Sequence, residues 1–170
     1  MTPSGAIAGI GFSDFGRVTG TSAMSLTLKA CKRAIEDSGL DRKEIDGCLV
    51  CLPAVMGEQH GWATRIAAHL GIEPRLAATM DMGGATPIGM IQTAALYIQA
   101  GLARSVVCAF GMQNNPQGVI MMMMGSQFAV PYGDVGAITF AAHMARRQMN
   151  DHGVTSKQYA HVAVTFRDYD

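Results

Sequence analysis

Two adjacent glycines between a strand-like run and a helix start are the residues of this sequence best placed to do chemistry. Ala77-Ala78-Thr79-Met80 leads through Asp81-Met82 into Gly83-Gly84-Ala85, and Thr86-Pro87-Ile88 opens the next segment. Thr86 reads as an N-cap and Pro87 as the first helical residue. A helix N-terminus presents unpaired N–H groups and a partial positive charge. Gly84 carries a backbone N–H and no side chain, so it can stabilise a carbonyl oxygen or an enolate. The same glycine pair is read equally well as what a tight strand-to-helix turn requires. Asp81, just before the turn, is a candidate base or a residue that accepts backbone N–H groups.

The other reactive types are less well arranged. Cys48-Leu-Val-Cys51 is nominally a C-x-x-C, but it lies in a strand-like run where residues three apart point to opposite faces. With no second pair to add ligands, it reads as small core residues in a reducing compartment, and no metal site is expected. Cys31 falls on the apolar face of a helix. Cys108 lies in a buried-type strand and is a poor nucleophile. His60, His69, His143, His152 and His161 have no ligand spacing that shares a face with a carboxylate, so they read as surface or packing residues. Met121, Met122, Met123 and Met124, with Phe128, form either the core of an insertion or an adaptable wall for a bulky apolar group. The wall is favoured, because methionines bunched in an irregular stretch are not a helix stripe.

The elements that position these residues alternate. Ala6 to Gly11 reads as a short strand. Ser22 caps a helix to Ser38, with Met24, Leu28, Cys31 and Ile35 on one face and Gly39 closing it. Asp41 to Glu44 has capping-box spacing. Strands are expected over Gly47 to Leu52, Arg75 to Met80 and Ser105 to Phe110. Between them lie helices Gln59 to Leu70, burying Trp62, Ile66 and Leu70, and Pro87 to Ala100, burying Ile88, Ile91, Ala95 and Ile98. Strands alternating with helices imply a parallel sheet with right-handed crossovers and ligands at the carboxyl ends of the strands. After Gly111 the pattern loosens. Asp134 is expected to cap a helix to Met149, and Thr155 or Ser156 to start another through Phe166. The chain stops at Asp168-Tyr169-Asp170 without a closing signal, which reads as a cut.

Composition sets outer bounds. The chain has 170 residues, 49% hydrophobic and 15% charged, with 13 basic and 13 acidic side chains. A nucleic-acid surface needs a basic surplus, so that class is excluded. No apolar run reaches the roughly 18 residues of a membrane span, and no leader pattern is visible. A cytoplasmic location is expected. The low charge points to surfaces that are buried or covered by partners.

Three stretches carry a resemblance: Ala34-Ile-Glu-Asp-Ser-Gly39-Leu-Asp with Glu44-Ile-Asp-Gly47; Gly83-Gly-Ala-Thr86 through Ala94-Ala to Gly101; and Tyr132-Gly133 through Ala145-Arg-Arg147 to His152-Gly153. In order and spacing the chain resembles the thiolase superfamily, specifically its sterol-carrier or lipid-transfer branch. The resemblance implies a layered α/β fold with a mostly parallel sheet flanked by helices, of which this chain would be the first half, residues 1–111, with a loop and helical insertion over 112–170. In thiolases the nucleophilic cysteine stands where this chain has Gly84, so the covalent acyl transfer typical of the family is not available here.

That resemblance implies a coenzyme A thioester as substrate, no covalently bound cofactor, and a homodimer or larger assembly, with Leu76 to Met80 and Pro87 to Ala100 as dimer contacts. Cysteine-less members resemble aldol lyases that cleave a β-hydroxyacyl-CoA and work with an OB-fold and zinc-ribbon partner. The alternatives are a non-catalytic lipid-binding or scaffold subunit and an acyltransferase using another nucleophile. The general base, a tyrosine or histidine, would come from a second half.

Overall fold

The computed structural model describes residues 5–16, 18–53, 59–111, 128, 130–133 and 137–169. The chain forms two compact units, Met1–Val119 and Ile120–Asp170.

In the first unit, the Ser22 hydroxyl accepts the Ser25 N–H at 3.1 Å and starts α1 (Ala23–Ser38). Gly39, at φ 70°, ends it in the left-handed region that glycine enters without strain. Asp41 and Glu44 form the capping box around a single 3-10 turn, Arg42–Glu44. The next elements are β1 (Gly47–Cys51), α2 (Trp62–Leu70), β2 (Leu76–Met80), α3 (Thr86–Gln99) and β3 (Val106–Ala109). The helix α2 starts three residues later than its sequence pattern suggested, at a Gly61 cap with φ 60°.

The sheet is parallel in the order β2-β1-β3. Side chains alternate across it as the pleat requires. Cys48, Val50, Val107 and Ala109 face a core built with α1 and α2 around Cys31, Ile35, Trp62, Ile66 and Leu70. Leu49, Leu76, Ala78, Met80, Val106 and Cys108 face α3, where Met90 and Ala94 pack on them. The chain steps from β1 to β2 on one side and from β2 across to β3 on the other. β1 is buried along its whole length, which explains its unbroken run of small and apolar residues.

Residues 6–11, expected as a strand, pair with no strand among the described residues; they run along α1 instead. The Ile10 N–H donates to Asp37 Oδ2 at 2.9 Å, Arg33 Nη1 donates to the Phe12 carbonyl at 2.6 Å, and Lys29 Nζ meets Asp14 Oδ2 at 2.6 Å. Four helical residues rise about 6 Å and two extended residues about 6.6 Å. Asp37, Arg33 and Lys29 therefore keep step with residues 10, 12 and 14. A Cβ on Gly9 or Gly11 would overlap the α1 backbone at Ala34 and Ala30, so both glycines are needed for this approach. The alternation in the sequence marks two residues per helical turn, and the partner is a helix face rather than a strand.

The helix α3 also differs from expectation. Its buried face carries Thr86, Gly89, Met90 and Ala94, while Ile88 and Ile91 are 61% and 45% exposed. The exposed side of α3 mixes Ile88, Ile91 and Leu96 with Gln92 and Gln99, so the apolar spacing did not single out the buried side. Small residues mark the buried side: Ala94 packs on the sheet, and Gly89 lies under the Met82 and Met80 side chains.

The second unit contains a 3-10 turn, Val130–Tyr132, and two helices, α4 (Ala137–His152) and α5 (Ser156–Asp168). Gly153 (φ 66°) ends α4, and Thr155 with Gln158 forms a capping box for α5. The Tyr159 hydroxyl donates to Gln148, tying the two helices together. Neither helix buries a residue completely. The expected cap Asp134 lies outside the described residues. Among the described residues, no helix is long and apolar enough to cross a membrane.

Candidate active site at the carboxyl end of the sheet

The glycine turn leaves β2 at the carboxyl end of the sheet, where parallel α/β folds bind ligands. Its backbone is held from within. The Asp81 Oδ1 accepts the Gly83 N–H at 3.1 Å. The Thr86 hydroxyl accepts the Met82 N–H at 2.8 Å and donates to the Gly83 carbonyl at 2.7 Å. Backbone bonds Ala85 N–H to Met82 O (3.2 Å) and Thr86 N–H to Gly83 O (3.1 Å) complete it. Gly83 sits at φ 57°, while Gly84 has ordinary backbone geometry. A Cβ on Gly84 would meet nothing within 4 Å.

Thr86 is thus not the N-cap. Ala85 takes that position without a side-chain bond, and Thr86 is the first helical residue. Its hydroxyl clasps the turn from inside, fully buried. Asp81 is engaged as a turn acceptor, the second of its two expected roles. The closure uses the N–H groups of Ala85 and Thr86, and Pro87 has none; Gly84 and Ile88 contribute no donor to it. Those two N–H groups are what the helix start offers a ligand oxygen.

The thiols sit apart from this chemistry. Burial pushes Cys31 and Cys48 up to about 12, and Cys108 to about 11. Cys51, at the carboxyl end of β1, lies beside the turn, a proximity the sequence did not reveal. Burial raises its pKa, against a hydrogen bond with Thr86 that lowers it. All four cysteines are free. Cys48 and Cys51 lie on opposite sides of β1, and among the described residues no group of three or more His, Cys, Asp or Glu could hold a metal ion.

Asp46 occupies the opposite end of the sheet. It is 5% exposed, and its Oδ1 accepts the N–H groups of Arg104 at 2.8 Å and Ser105 at 3.0 Å. Burial alone would raise its pKa. The Ser105 and Arg104 N–H groups and the Arg104 guanidinium outweigh that and hold it below the usual carboxylate value. Its role is to fasten β1 to the entrance of β3.

Phe128 is 84% exposed, and Met121 to Met124 lie outside the described residues. The structure therefore brings Asp81, Gly83 and Gly84 together with Thr86 and Cys51.

No protein-family model matches the chain. It is 31% identical to the steroid side-chain-cleaving aldolase of Thermomonospora curvata, over 96% of this chain and 44% of that protein. It is 27% identical to the 17-hydroxy-3-oxo-4-pregnene-20-carboxyl-CoA lyase of Mycobacterium tuberculosis, over 99% of this chain and 46% of that protein. The chain thus spans less than half the length of these curated relatives. Among solved structures it superposes on the Ltp2-ChsH2(DUF35) aldolase with a TM-score of 0.72, at 29% identity over 96% of this chain and 43% of the other. The fold of a monomeric SCP2-thiolase like protein type 1 from Mycobacterium smegmatis matches with a TM-score of 0.50, at 24% identity over 77% of this chain and 26% of that one. The relatives and structural neighbours of this chain are thiolase-like, and its parallel sheet flanked by helices matches theirs.

Proposed function

We propose that the protein acts on a coenzyme A thioester without a covalent acyl intermediate, cleaving a β-hydroxyacyl-CoA with a bulky, steroid-type acyl group in the retro-aldol direction. The observation that carries this reading is the turn at residues 81–86. It offers backbone donors at a helix start, bears no side chain at Gly84, and has only a buried thiol with a raised pKa nearby. The names of the two curated relatives, an aldolase and a CoA lyase, support it.

The chemistry needs no thiol. A base takes the β-hydroxyl proton, and the Cα–Cβ bond breaks as a carbonyl forms at Cβ. The electron pair passes into the thioester as an enolate, whose oxygen the helix-start N–H groups stabilise. A proton then returns to Cα and releases the shorter acyl-CoA. Asp81 is engaged with Gly83, so the base belongs elsewhere in the complete protein, as a tyrosine or histidine. Met121 to Met124 and Phe128 are assigned to the apolar part of the substrate, with no resident cofactor and no metal. A homodimer or larger assembly, a cytoplasmic location suited to four free thiols, and a partner of OB-fold and zinc-ribbon type belong to the same reading. The partner is supported by the aldolase structure, which pairs Ltp2 with ChsH2(DUF35).

The test is mass spectrometry of the full-length protein incubated with a tertiary β-hydroxyacyl-CoA. Equimolar ketone and shortened acyl-CoA are expected. Binding without cleavage would assign the non-catalytic lipid-binding or scaffold role, and acyl transfer to an added acceptor would assign an acyltransferase.

A further inference from the structure

We propose that Met82 is the side chain that contacts the apolar acyl group at the glycine turn, and that Gly89 is the notch that seats it. This deepens the thioester reading above and rests on it.

The backbone of Met82 cannot move freely. Its N–H is held by the Thr86 hydroxyl at 2.8 Å, and its carbonyl accepts the Ala85 N–H at 3.2 Å. What remains adjustable is the side chain, and a thioether with three rotatable bonds adapts to irregular apolar shapes. That side chain is folded over α3. A Cβ built on Gly89 would stand 2.5 Å from Met82 Sδ, 3.4 Å from Met82 Cε and 3.7 Å from Met80 Cε. Carbon and sulfur need nearly 4 Å, so the sulfur occupies space that exists only because residue 89 lacks a side chain.

Gly89 is buried inside α3, where glycine costs about 1 kcal/mol relative to alanine. Seating Met82 is a reason for it. Met82 nevertheless remains 55% exposed, directly beside Gly83 and Gly84. An apolar surface is thus held next to the turn, where the Gly84 and Ile88 N–H groups take no part in its closure. A thioester oxygen on the donors would place the carbon side of the acyl group against the thioether. Small acyl groups are too short to use that surface; ring-bearing or branched ones reach it.

The experiment titrates full-length wild type, Met82→Ala, Met82→Leu and Gly89→Ala with coenzyme A, acetyl-CoA and a ring-bearing acyl-CoA by calorimetry. Met82→Ala is expected to weaken the ring-bearing ligand about tenfold, the scale of a lost hydrophobic contact, and to leave the other two within twofold. Gly89→Ala displaces the sulfur and acts in the same direction, while Met82→Leu restores binding. Equal weakening of all three ligands, or an unchanged affinity for the ring-bearing one, overturns the assignment while the thioester reading stands. A wild type that binds neither acyl-CoA overturns both.

Discussion

The Thr86 hydroxyl spans the glycine turn, donating to the Gly83 carbonyl at 2.7 Å while it accepts the Met82 N–H at 2.8 Å. Thr86 itself is fully buried, so its hydroxyl depends on these two partners for its hydrogen bonds. Thr86→Val keeps the shape and leaves the Met82 N–H unsatisfied, at a cost of about 1–3 kcal/mol. Thr86→Ser should recover most of that. Urea unfolding of the full-length variants measures both. Equal losses for Val and Ser would mean that packing of the methyl group, and not the hydroxyl, holds the turn.

Gly83 and Gly84 should behave differently on substitution. Gly83 is at φ 57°, so Gly83→Ala is expected to lose about 1 kcal/mol or more. At Gly84 the backbone is ordinary and the space open, so Gly84→Cys should fold with little loss. Its thiol would stand at a helix N-terminus, where the dipole favours the thiolate. Spectroscopic titration should give a pKa below the free value of about 8.5. A value at or above it would show that the helix start does not act on position 84.

Incubation with acetyl-CoA should leave no stoichiometric acetyl adduct by intact-mass analysis. Burial raises the pKa of all four thiols, so the nucleophilic thiolate is scarce at neutral pH. The informative site is Cys51, which lies nearest the turn. An acetyl group mapped there would revive a covalent mechanism.

Sequence reasoning reached the elements whose signals are local. Ser22 and Gly39 bracket α1, Asp41 and Glu44 make their box, and of the two starts expected for α5 Thr155 is the cap. It failed where the deciding term was the partner of an element. Residues 6–11 show strand-like alternation, yet Gly9 and Gly11 serve a helix face that no local pattern specifies. In α3, large apolar residues also stand on the exposed side, and the buried side is the one where Gly89 lies under Met82 and Ala94 packs on the sheet. The strand-to-helix turn itself was legible from the Gly83-Gly84 pair and Pro87. The Thr86 clasp uses partners three and four residues back within the turn, whereas the nearness of Cys51 depends on how β1 and β2 end side by side, which is a tertiary fact.

Asp46 gives the fold a pH dependence of defined sign. Its folded pKa is lowered, so its stabilising contribution is present above the unfolded value of about 3.9 and is lost as pH falls through the folded value. Asp46→Asn should reduce stability at pH 7 and flatten the decline from pH 5 to pH 3. Urea midpoints across that range are the measurement. Parallel curves for wild type and variant would remove Asp46 from the acid response.

The last prediction concerns assembly. The outward face of α3 presents Ile88, Ile91 and Leu96, with Leu96 64% exposed, and among the described residues β2 is an edge strand of the sheet. Along the strap on α1, Ile10 and Phe12 also point away from the helix and are 61% and 60% exposed. Isolated domains keep such apolar patches small, and an unpaired parallel edge invites another chain. Residues 1–170 alone are therefore expected to self-associate or to lack a cooperative melt, whereas the full-length protein should sediment as a dimer or larger. Ile88→Lys combined with Ile91→Lys in the full-length protein should shift it toward monomer without loss of helix content, because neither side chain belongs to the buried face. Sedimentation velocity with circular dichroism reads both effects. A soluble 170-residue monomer with a sharp thermal transition would show that these faces need no cover.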